Sequence, residues 1–189
     1  RAFSFSNLFY YGGGFDLAAS ILDRFTTTDL FESRRLTGAI VGILGLVVVW
    51  RTARRLGGPV AGVAALVLLA VTPLYYGHMF INAKDAPFAV AMAFLLYAFV
   101  RAFDEYPRPK PLTIGLFGIA LGLLIGTRVI GGVAVLFAAT ALLVYVLAEL
   151  RERGAYPAAR RAAMFVGMLA LSLPLAYAVM AIVWPWAVQ

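Results

Sequence analysis

The sequence has no cysteine, a single histidine and only nine acidic residues among its 189 positions. Without cysteine it has no disulfide, no thiolate metal site and no cysteine nucleophile. One histidine excludes a metal site built from several histidines. The sequence patterns of phosphate loops, dinucleotide-binding folds, zinc peptidases and serine hydrolases are also missing. These absences exclude many classes of soluble enzyme.

Charge as a whole is scarce, and apolar residues are abundant. Charged residues make up 13% of the chain and hydrophobic residues 63%, against about 25% and about 45–50% in soluble domains. So small a number of charged residues cannot cover a soluble core of this size with a polar surface. The composition excludes a soluble globular enzyme and a disordered chain. It indicates an all-α, polytopic bundle of transmembrane helices.

The remaining charges are mostly basic and give a net charge of +7. In a membrane protein such an excess indicates Lys- and Arg-rich cytoplasmic loops and contact with anionic headgroups. We therefore expect membrane lipids as partners and no binding of nucleic acid.

About six segments are apolar enough to cross a bilayer, which takes about 20 residues. Residues 1–35 are too polar to cross, and we expect them to form an extracytoplasmic, interfacial segment with a short amphipathic helix at 15–23. Residues 36–189 form the predicted transmembrane domain, with spans at about 36–55, 60–76, 86–103, 112–127, 132–149 and 162–184.

The basic residues concentrate in alternate loops. Three loops together contain ten Lys and Arg residues, whereas two loops on the other side contain one each. This bias predicts that the basic loops are cytoplasmic, in a multi-pass protein of a bacterial inner (plasma) membrane. The basic loops are 51–58, 101–110 and 150–161, and the opposite loops are 75–87 and 126–132.

The predicted outer loop 75–87 holds four polar side chains within eight residues, namely His78, Asn82, Lys84 and Asp85. One interpretation is structural, because Asp is a good helix cap and proline is tolerated in a first helical turn. The other is functional. A carboxylate at the membrane surface can orient a sugar hydroxyl, act as a base or hold a metal ion. On this interpretation Asp85 is a candidate catalytic residue and the other three are candidates for substrate binding.

Arg128 lies between two apolar runs and is flanked by glycines. An arginine within the bilayer costs about 2.5–3.5 kcal/mol on the insertion scale, so such a residue indicates a function. Its guanidinium suits a phosphate, which makes Arg128 a candidate for substrate binding. At a turn on the outer surface much of the cost disappears, and an ordinary headgroup contact is the alternative.

Tyr10 and Tyr11 precede the glycine run 12–14. Glycines let a backbone approach a ligand closely, so the two tyrosines are further candidates for substrate binding. The alternative is that they anchor the chain at the membrane surface, as aromatic belt residues do.

An ordered series of segments carries a family resemblance. Residues 34–42 open the first predicted span and 50–58 close it, 82–87 follow in the outer loop, and 118–128 end in Gly-Thr-Arg. Over residues 8–150 this series resembles the GT-C integral-membrane glycosyltransferases. It is most similar to their family 39, dolichyl-phosphate-mannose–protein mannosyltransferase-like branch.

The resemblance implies transfer of a sugar from a polyprenyl-phosphate carrier to an unidentified acceptor on the extracytoplasmic face. It implies that Asp85 matches an acidic position of the second outer loop and that Arg128 contacts the carrier phosphate. The family's first acidic pair has no counterpart here. We therefore expect the chain, which starts at Arg1 and stops without a polar tail, to be a fragment that lacks part of the catalytic machinery. Dependence on a divalent cation stays open.

Two other functions are compatible with these residues. A transporter or flippase would use Asp85, Lys84 and Arg128 as a charged pathway, and a crevice would reach the bilayer centre. A non-catalytic membrane scaffold would have no polar cavity. The glycosyltransferase predicts that Asp85 and Arg128 share an outward cavity open to lipid.

Overall fold

The fold is described by a computed structural model for residues 12–26 and 29–187. These residues form eight α-helices and two short 3₁₀ helices, with no strand among them. The α-helices are α1 (Gly14–Asp23), α2 (Leu30–Ala70), α3 (Pro73–Ile81), α4 (Asp85–Asp104), α5 (Pro111–Thr127), α6 (Ala134–Arg153), α7 (Ala155–Ala170) and α8 (Leu173–Val183). The 3₁₀ helices are Val129–Val133 and Pro185–Ala187.

Helix α2 reverses direction within its own length. Gly58 has a φ of 81°, a left-handed value that favours glycine, and Pro59 follows it. A Cβ atom on Gly62 would lie 2.9 Å from Cβ of Arg54, although eight residues of straight helix span about 12 Å. The two arms on either side of Gly58 are therefore antiparallel neighbours, where the sequence predicts two separate spans.

The returning arm of this hairpin is interrupted before α3. Pro73 begins α3 and has no backbone N–H to donate, so the helical hydrogen-bond ladder is not continuous there. Helix α3 then packs on the first arm of α2. The Tyr75 hydroxyl donates to the Gly42 carbonyl oxygen over 2.7 Å, and a Cβ on Gly42 would come within 2.6 Å of the Met79 sulfur. The helix continues to Ile81, beyond the end predicted at residue 76.

Helices α4 and α5 form the centre of the bundle. Helix α4 packs between α2 and α5, and α5 packs between α4 and α8. Leu95, Ala98, Ala120 and Leu124 are fully buried between these helices. The contact of α5 with α8 is close because glycines line it. A Cβ on Gly118 would lie 2.8 Å from the Ser172 carbonyl oxygen, and small residues permit such approach between membrane helices.

The outside of the bundle is apolar. Val60, Leu68 and Leu136 are 82%, 67% and 64% exposed, which suits contact with lipid rather than water. Four stretches among the described residues are long and apolar enough to cross a membrane. They are Phe31–Ala70, Asp85–Asp104, Val129–Arg153 and Ala155–Val183, and α5 is a shorter apolar helix. The predicted fold class, an all-α transmembrane bundle, is confirmed.

The bundle has two chemically different ends. The "Asp85 end" comprises α1, residues 82–85, Arg128 and Val183. Two contacts show that these parts lie near one another. The Gly12 N–H donates to the Thr127 carbonyl oxygen over 3.4 Å, and a Cβ on Gly14 would lie 2.6 Å from Val183. The "arginine-rich end" comprises residues 50–58, 101–110 and 149–161. Helix α4 connects the two ends, because Asp85 and Arg101 are about 24 Å apart along a straight helix.

Candidate active site

Asp85 is the first residue of α4, but its side chain does not cap the helix. Asn82 closes the preceding turn instead. Its side-chain oxygen accepts hydrogen bonds from the backbone N–H groups of Lys84 (3.1 Å) and Asp85 (2.8 Å). Asp85 and Pro87 lie in the first turn of the helix, as the structural interpretation expects, but the Asp85 side chain makes no capping hydrogen bond. A carboxylate in the first turn of α4 is also stabilised by the helix dipole.

The Asp85 carboxylate forms an ion pair with the Arg128 guanidinium. Arg128 is held in extended conformation between the end of α5 and the following 3₁₀ helix, and its backbone N–H donates to the Leu124 carbonyl oxygen over 3.1 Å. The side chains of Asp85 and Arg128 are 54% and 29% exposed. Arg128 thus lies at a turn at the end of the bundle, where solvent reduces the cost of its charge.

The Phe88 ring packs against the Arg128 guanidinium. The Arg128 guanidinium lies 5.8 Å from the centre of the Phe88 ring, within the range of a cation–π interaction. Phe88 is three residues after Asp85 on α4, so the carboxylate and the ring share one helix face. Phe88 was not predicted as a site residue, although its spacing from Asp85 on a predicted helix is a usable signal.

Asn82 and His78 extend the polar cluster. The Asn82 amide nitrogen donates to an Asp85 oxygen over 2.8 Å and lies 3.2 Å from Nδ1 of His78. An amide has two N–H donors, so both contacts are satisfied together when Nδ1 of His78 accepts and the ring proton is on Nε2. Asn82 therefore contacts both the backbone N–H and the carboxylate of Asp85.

Lys84 faces a cavity of about 460 Å³ next to this cluster. The cavity lies between α1, α2, α4 and α5, and its walls are apolar except at Thr37, Lys84 and Thr127. Its size is in the range of small-molecule sites. Asp85 and Arg128 lie beside this cavity and do not line it. The apolar walls include Val41, Leu44, Val48, Pro87, Val90, Phe94 and Leu123.

The structure brings together four of the residues singled out in the sequence: His78, Asn82, Asp85 and Arg128. Lys84 is adjacent in the chain but faces the cavity. Tyr10 and Tyr11 lie outside the described residues. Thr127 was not predicted, although it directly precedes Arg128.

Comparison with known families gives one match that covers most of the chain. The sequence model of the family named dolichyl-phosphate-mannose-protein mannosyltransferase matches residues 27–186. The chain belongs to this family. Comparisons with curated proteins and with solved structures give no match.

Membership in the mannosyltransferase family makes this a chain of a membrane glycosyltransferase of the GT-C type. The family implies a lipid-linked sugar donor and a protein acceptor. The resemblance inferred from the ordered segments is thereby confirmed at the level of the family. Asp85 and Arg128 both fall within the matched residues.

No candidate ligand set for a metal ion is found in the part of this mannosyltransferase-family chain that the structure describes. No three histidine or acidic side chains gather there closely enough to hold an ion.

A second polar cluster lies at the arginine-rich end, around the buried carboxylate of Glu149. It accepts hydrogen bonds from the Tyr106 hydroxyl at 3.0 Å and from Nε of Arg161 at 2.6 Å, and Arg153 lies 3.8 Å away. Burial and this bond to Glu149 raise the pKa of Tyr106 above its ordinary value. The cluster ties α6, α7 and the loop after α4 together.

Glu105 is fixed in a similar way at the same end. Burial acts to raise the pKa of its carboxyl group, but the Lys110 backbone N–H, the Thr113 hydroxyl and the Arg101 guanidinium outweigh it. The pKa of Glu105 is lowered as a result. The Lys110 N–H donates over 2.7 Å, and the Arg101 guanidinium lies 3.5 Å away.

Proposed function

We propose that this chain carries the donor site of a glycosyltransferase that moves a sugar from a polyprenyl-phosphate carrier to a protein acceptor on the extracytoplasmic face. The observation that carries the proposal is the Asp85–Arg128 ion pair, which lies beside an apolar cavity with Lys84 at its edge. An anion-binding group, a carboxylate and an apolar chamber are what a lipid-linked sugar phosphate requires. All three lie at one end of the bundle.

Arg128 is the proposed ligand of the carrier phosphate. Its planar guanidinium offers N–H donors in a geometry that matches phosphate as well as carboxylate. The negative charge on the phosphate grows as the sugar departs. A cation beside it therefore stabilises the transition state more than the ground state, which is what accelerates a reaction. Phe88 keeps the guanidinium in place.

Asp85 is the proposed base. It takes the proton from the acceptor hydroxyl while the hydroxyl oxygen attacks the anomeric carbon of the sugar. The bond from that carbon to the phosphate oxygen breaks, and its electron pair leaves with the polyprenyl phosphate beside Arg128. Asn82 orients the carboxylate, and His78 in turn contacts Asn82.

The apolar cavity is the proposed binding site for the part of the polyprenyl chain that lies next to the phosphate. Its walls from α2 and α4 are aliphatic or aromatic, and burial of such surface stabilises binding by about 25 cal/mol per Å². Lys84 and Thr127 stand where the apolar wall meets the polar cluster. Lys84 then supplies a second positive charge near the phosphate.

The proposed orientation has the Asp85 end outside and the arginine-rich end in the cytoplasm, in a bacterial inner membrane crossed about six times. Its support is the ten-to-two distribution of basic residues between alternate loops. Since the sequence has no cysteine, a single cysteine introduced at Tyr156, which is 78% exposed, gives a clean probe. An impermeant thiol reagent should leave it unlabelled in intact cells and label it after permeabilisation. Labelling in intact cells would reverse the orientation.

The donor site is tested by binding of polyprenyl phosphate to the full-length protein in lipid nanodiscs. Arg128→Ala should weaken binding at least about tenfold, since a charge-assisted contact to phosphate is lost. Arg34→Ala is the matched control. Arg34 also pairs with an aspartate, Asp16 at 2.6 Å, and its guanidinium lies 6.0 Å from the centre of the Phe15 ring.

Arg34→Ala should bind polyprenyl phosphate as the wild type does. Equal affinities in the wild type and Arg128→Ala would remove Arg128 from the donor site. Equal losses in both variants would mean that a general charge effect, rather than a site, attracts the lipid.

The family match favours this function over the two alternatives. A transporter with a charged pathway and a scaffold without a polar cavity are both less compatible with membership in a glycosyltransferase family. The polar cluster also lies at one end of the bundle and not in its middle, where a transported ion or substrate would bind.

A further inference from the structure

A separate pocket of about 340 Å³ opens between α2 and α4 at the arginine-rich end. It has six lining residues, of which four are arginines and two are aromatic: Trp50, Arg51, Arg54, Arg55, Tyr97 and Arg101. From the sequence, these arginines indicate only which loops are cytoplasmic. Their convergence on one concavity depends on the packing of α2 on α4.

The positive charge of this pocket is only partly balanced. Arg55 pairs with Asp104 at 2.5 Å, and Arg101 pairs with Glu105 at 3.5 Å. For Arg51 and Arg54, no carboxylate of the described residues lies within ion-pair distance. Like charges gathered in a partly enclosed space repel one another, and an anion bound among them would relieve that cost.

The two aromatic residues shape the pocket for a polar anion. Tyr97 is only 7% exposed and lines the pocket together with Arg51, Arg55 and Arg101. The Arg54 guanidinium lies 5.4 Å from the centre of the Trp50 ring. Tryptophan is enriched at the depth of lipid headgroups, and its ring limits the freedom of the arginine.

We propose that this pocket binds a phosphate group, carried either by the headgroup of an anionic lipid or by a soluble phosphate compound. Arginine forks match phosphate oxygens, and basic pockets between membrane helices bind anionic headgroups. The pocket is distinct from the proposed donor site, because its residues Tyr97 and Arg101 are about 18 Å and about 24 Å from Asp85 along α4. Its occupancy reinforces the α2–α4 contact rather than taking part in sugar transfer.

The experiment measures the thermal unfolding midpoint of the purified full-length protein in neutral detergent at constant ionic strength. One arm adds short-chain phosphatidylglycerol, with phosphatidylcholine as its neutral counterpart, and the other adds inorganic phosphate. A saturable rise in the midpoint is expected, since a ligand that binds only the folded state stabilises it. A rise with phosphatidylglycerol alone identifies a lipid headgroup, whereas a rise with inorganic phosphate as well means that the phosphate group suffices.

The variant Arg51→Gln with Arg54→Gln should weaken this binding by about tenfold or more. The matched control is Arg151→Gln with Arg160→Gln, which removes the same charge from exposed positions at the same end and should leave binding unchanged. Equal weakening in both variants would overturn the proposal in favour of general charge attraction. No saturable rise in either arm with the wild type would also overturn it.

A charge-preserving variant covers the case in which the glutamine variant does not fold. Arg51→Lys with Arg54→Lys keeps both charges but lacks the planar donor fork. Its affinity should be weaker than that of the wild type, and an unchanged affinity would contradict recognition by the arginine forks. None of these measurements depends on sugar transfer, so failure here leaves the donor site untouched.

Discussion

Asp85 at one end of the bundle and Glu149 and Glu105 at the other end are in opposite surroundings. Asp85 is 54% exposed and pairs with one arginine, whereas Glu149 and Glu105 are only 11% and 13% exposed and each has several partners. A buried carboxylate with several partners fixes the helices around it. An exposed one can exchange its partner for a substrate.

If the proposed function holds, this difference separates structural from functional charge within one chain. Exposed ion pairs contribute about 0–1 kcal/mol to stability, so the Asp85–Arg128 pair adds little to the fold. Removing one partner from a buried network leaves the other partners unsatisfied and costs more. Substitutions at the two ends should therefore separate loss of activity from loss of stability.

The largest expected effect comes from Asp85→Asn. The amide keeps the size of the side chain but cannot accept a proton, and loss of general base catalysis typically costs about 10²- to 10⁴-fold in rate. The assay follows release of polyprenyl phosphate from polyprenyl-phosphate mannose by the full-length protein, with membrane protein as acceptor. The thermal unfolding midpoint should hardly change.

The control for this variant is Asp16→Asn, since Asp16 belongs to the other exposed ion pair at the same end. It should keep wild-type activity. Full activity in Asp85→Asn would return Asp85 to a structural role and would remove the contrast between the two ends.

The next largest effect is expected for Glu149→Gln, which should lower the free energy of unfolding. Tyr106 and Arg161 would lose a charged acceptor in a mostly buried place, at a cost of about 2–3 kcal/mol. Asp104→Asn, which breaks the more exposed pair with Arg55, should cost about 1 kcal/mol or less. Chemical unfolding in detergent measures both, and equal losses would show that burial does not distinguish these pairs.

The smallest effect is a dependence on pH at Glu105. Its lowered pKa means that its contribution to stability is fully present above the unfolded pKa, about 4.3, and is lost as pH falls through the folded pKa below it. The unfolding midpoint of the wild type should therefore fall more between pH 6 and pH 3 than that of Glu105→Gln. Parallel curves for the two proteins would contradict the lowered pKa.

Much of this architecture could be predicted from the sequence because membrane helices have strong local signals. Long apolar runs predict the helices. The concentration of Lys and Arg in alternate loops predicts that Asp85 and Arg128 lie at the same end of the bundle. Their direct contact follows once α4 and α5 pack together, since one residue begins α4 and the other follows α5.

Other features depend on contacts between distant parts of the chain. The turn before α4 is closed by the Asn82 side chain, and from the sequence this turn could not be distinguished from a cap by Asp85. The basic pocket needs Arg51 and Arg54 of α2 to meet Tyr97 of α4. Neither helix alone indicates that pocket.

The glycine-lined contact between α5 and α8 has a consequence for biosynthesis. Of the described α-helices, α8 is the last to be synthesised, yet its Val179 lies against Gly122 of α5, where a Cβ would come within 2.7 Å of Val179 Cβ. Arg128 directly follows α5 and depends on that helix for its position. Chains fold progressively as they are made, so this contact of α5 forms only after almost all of the described helices have been synthesised.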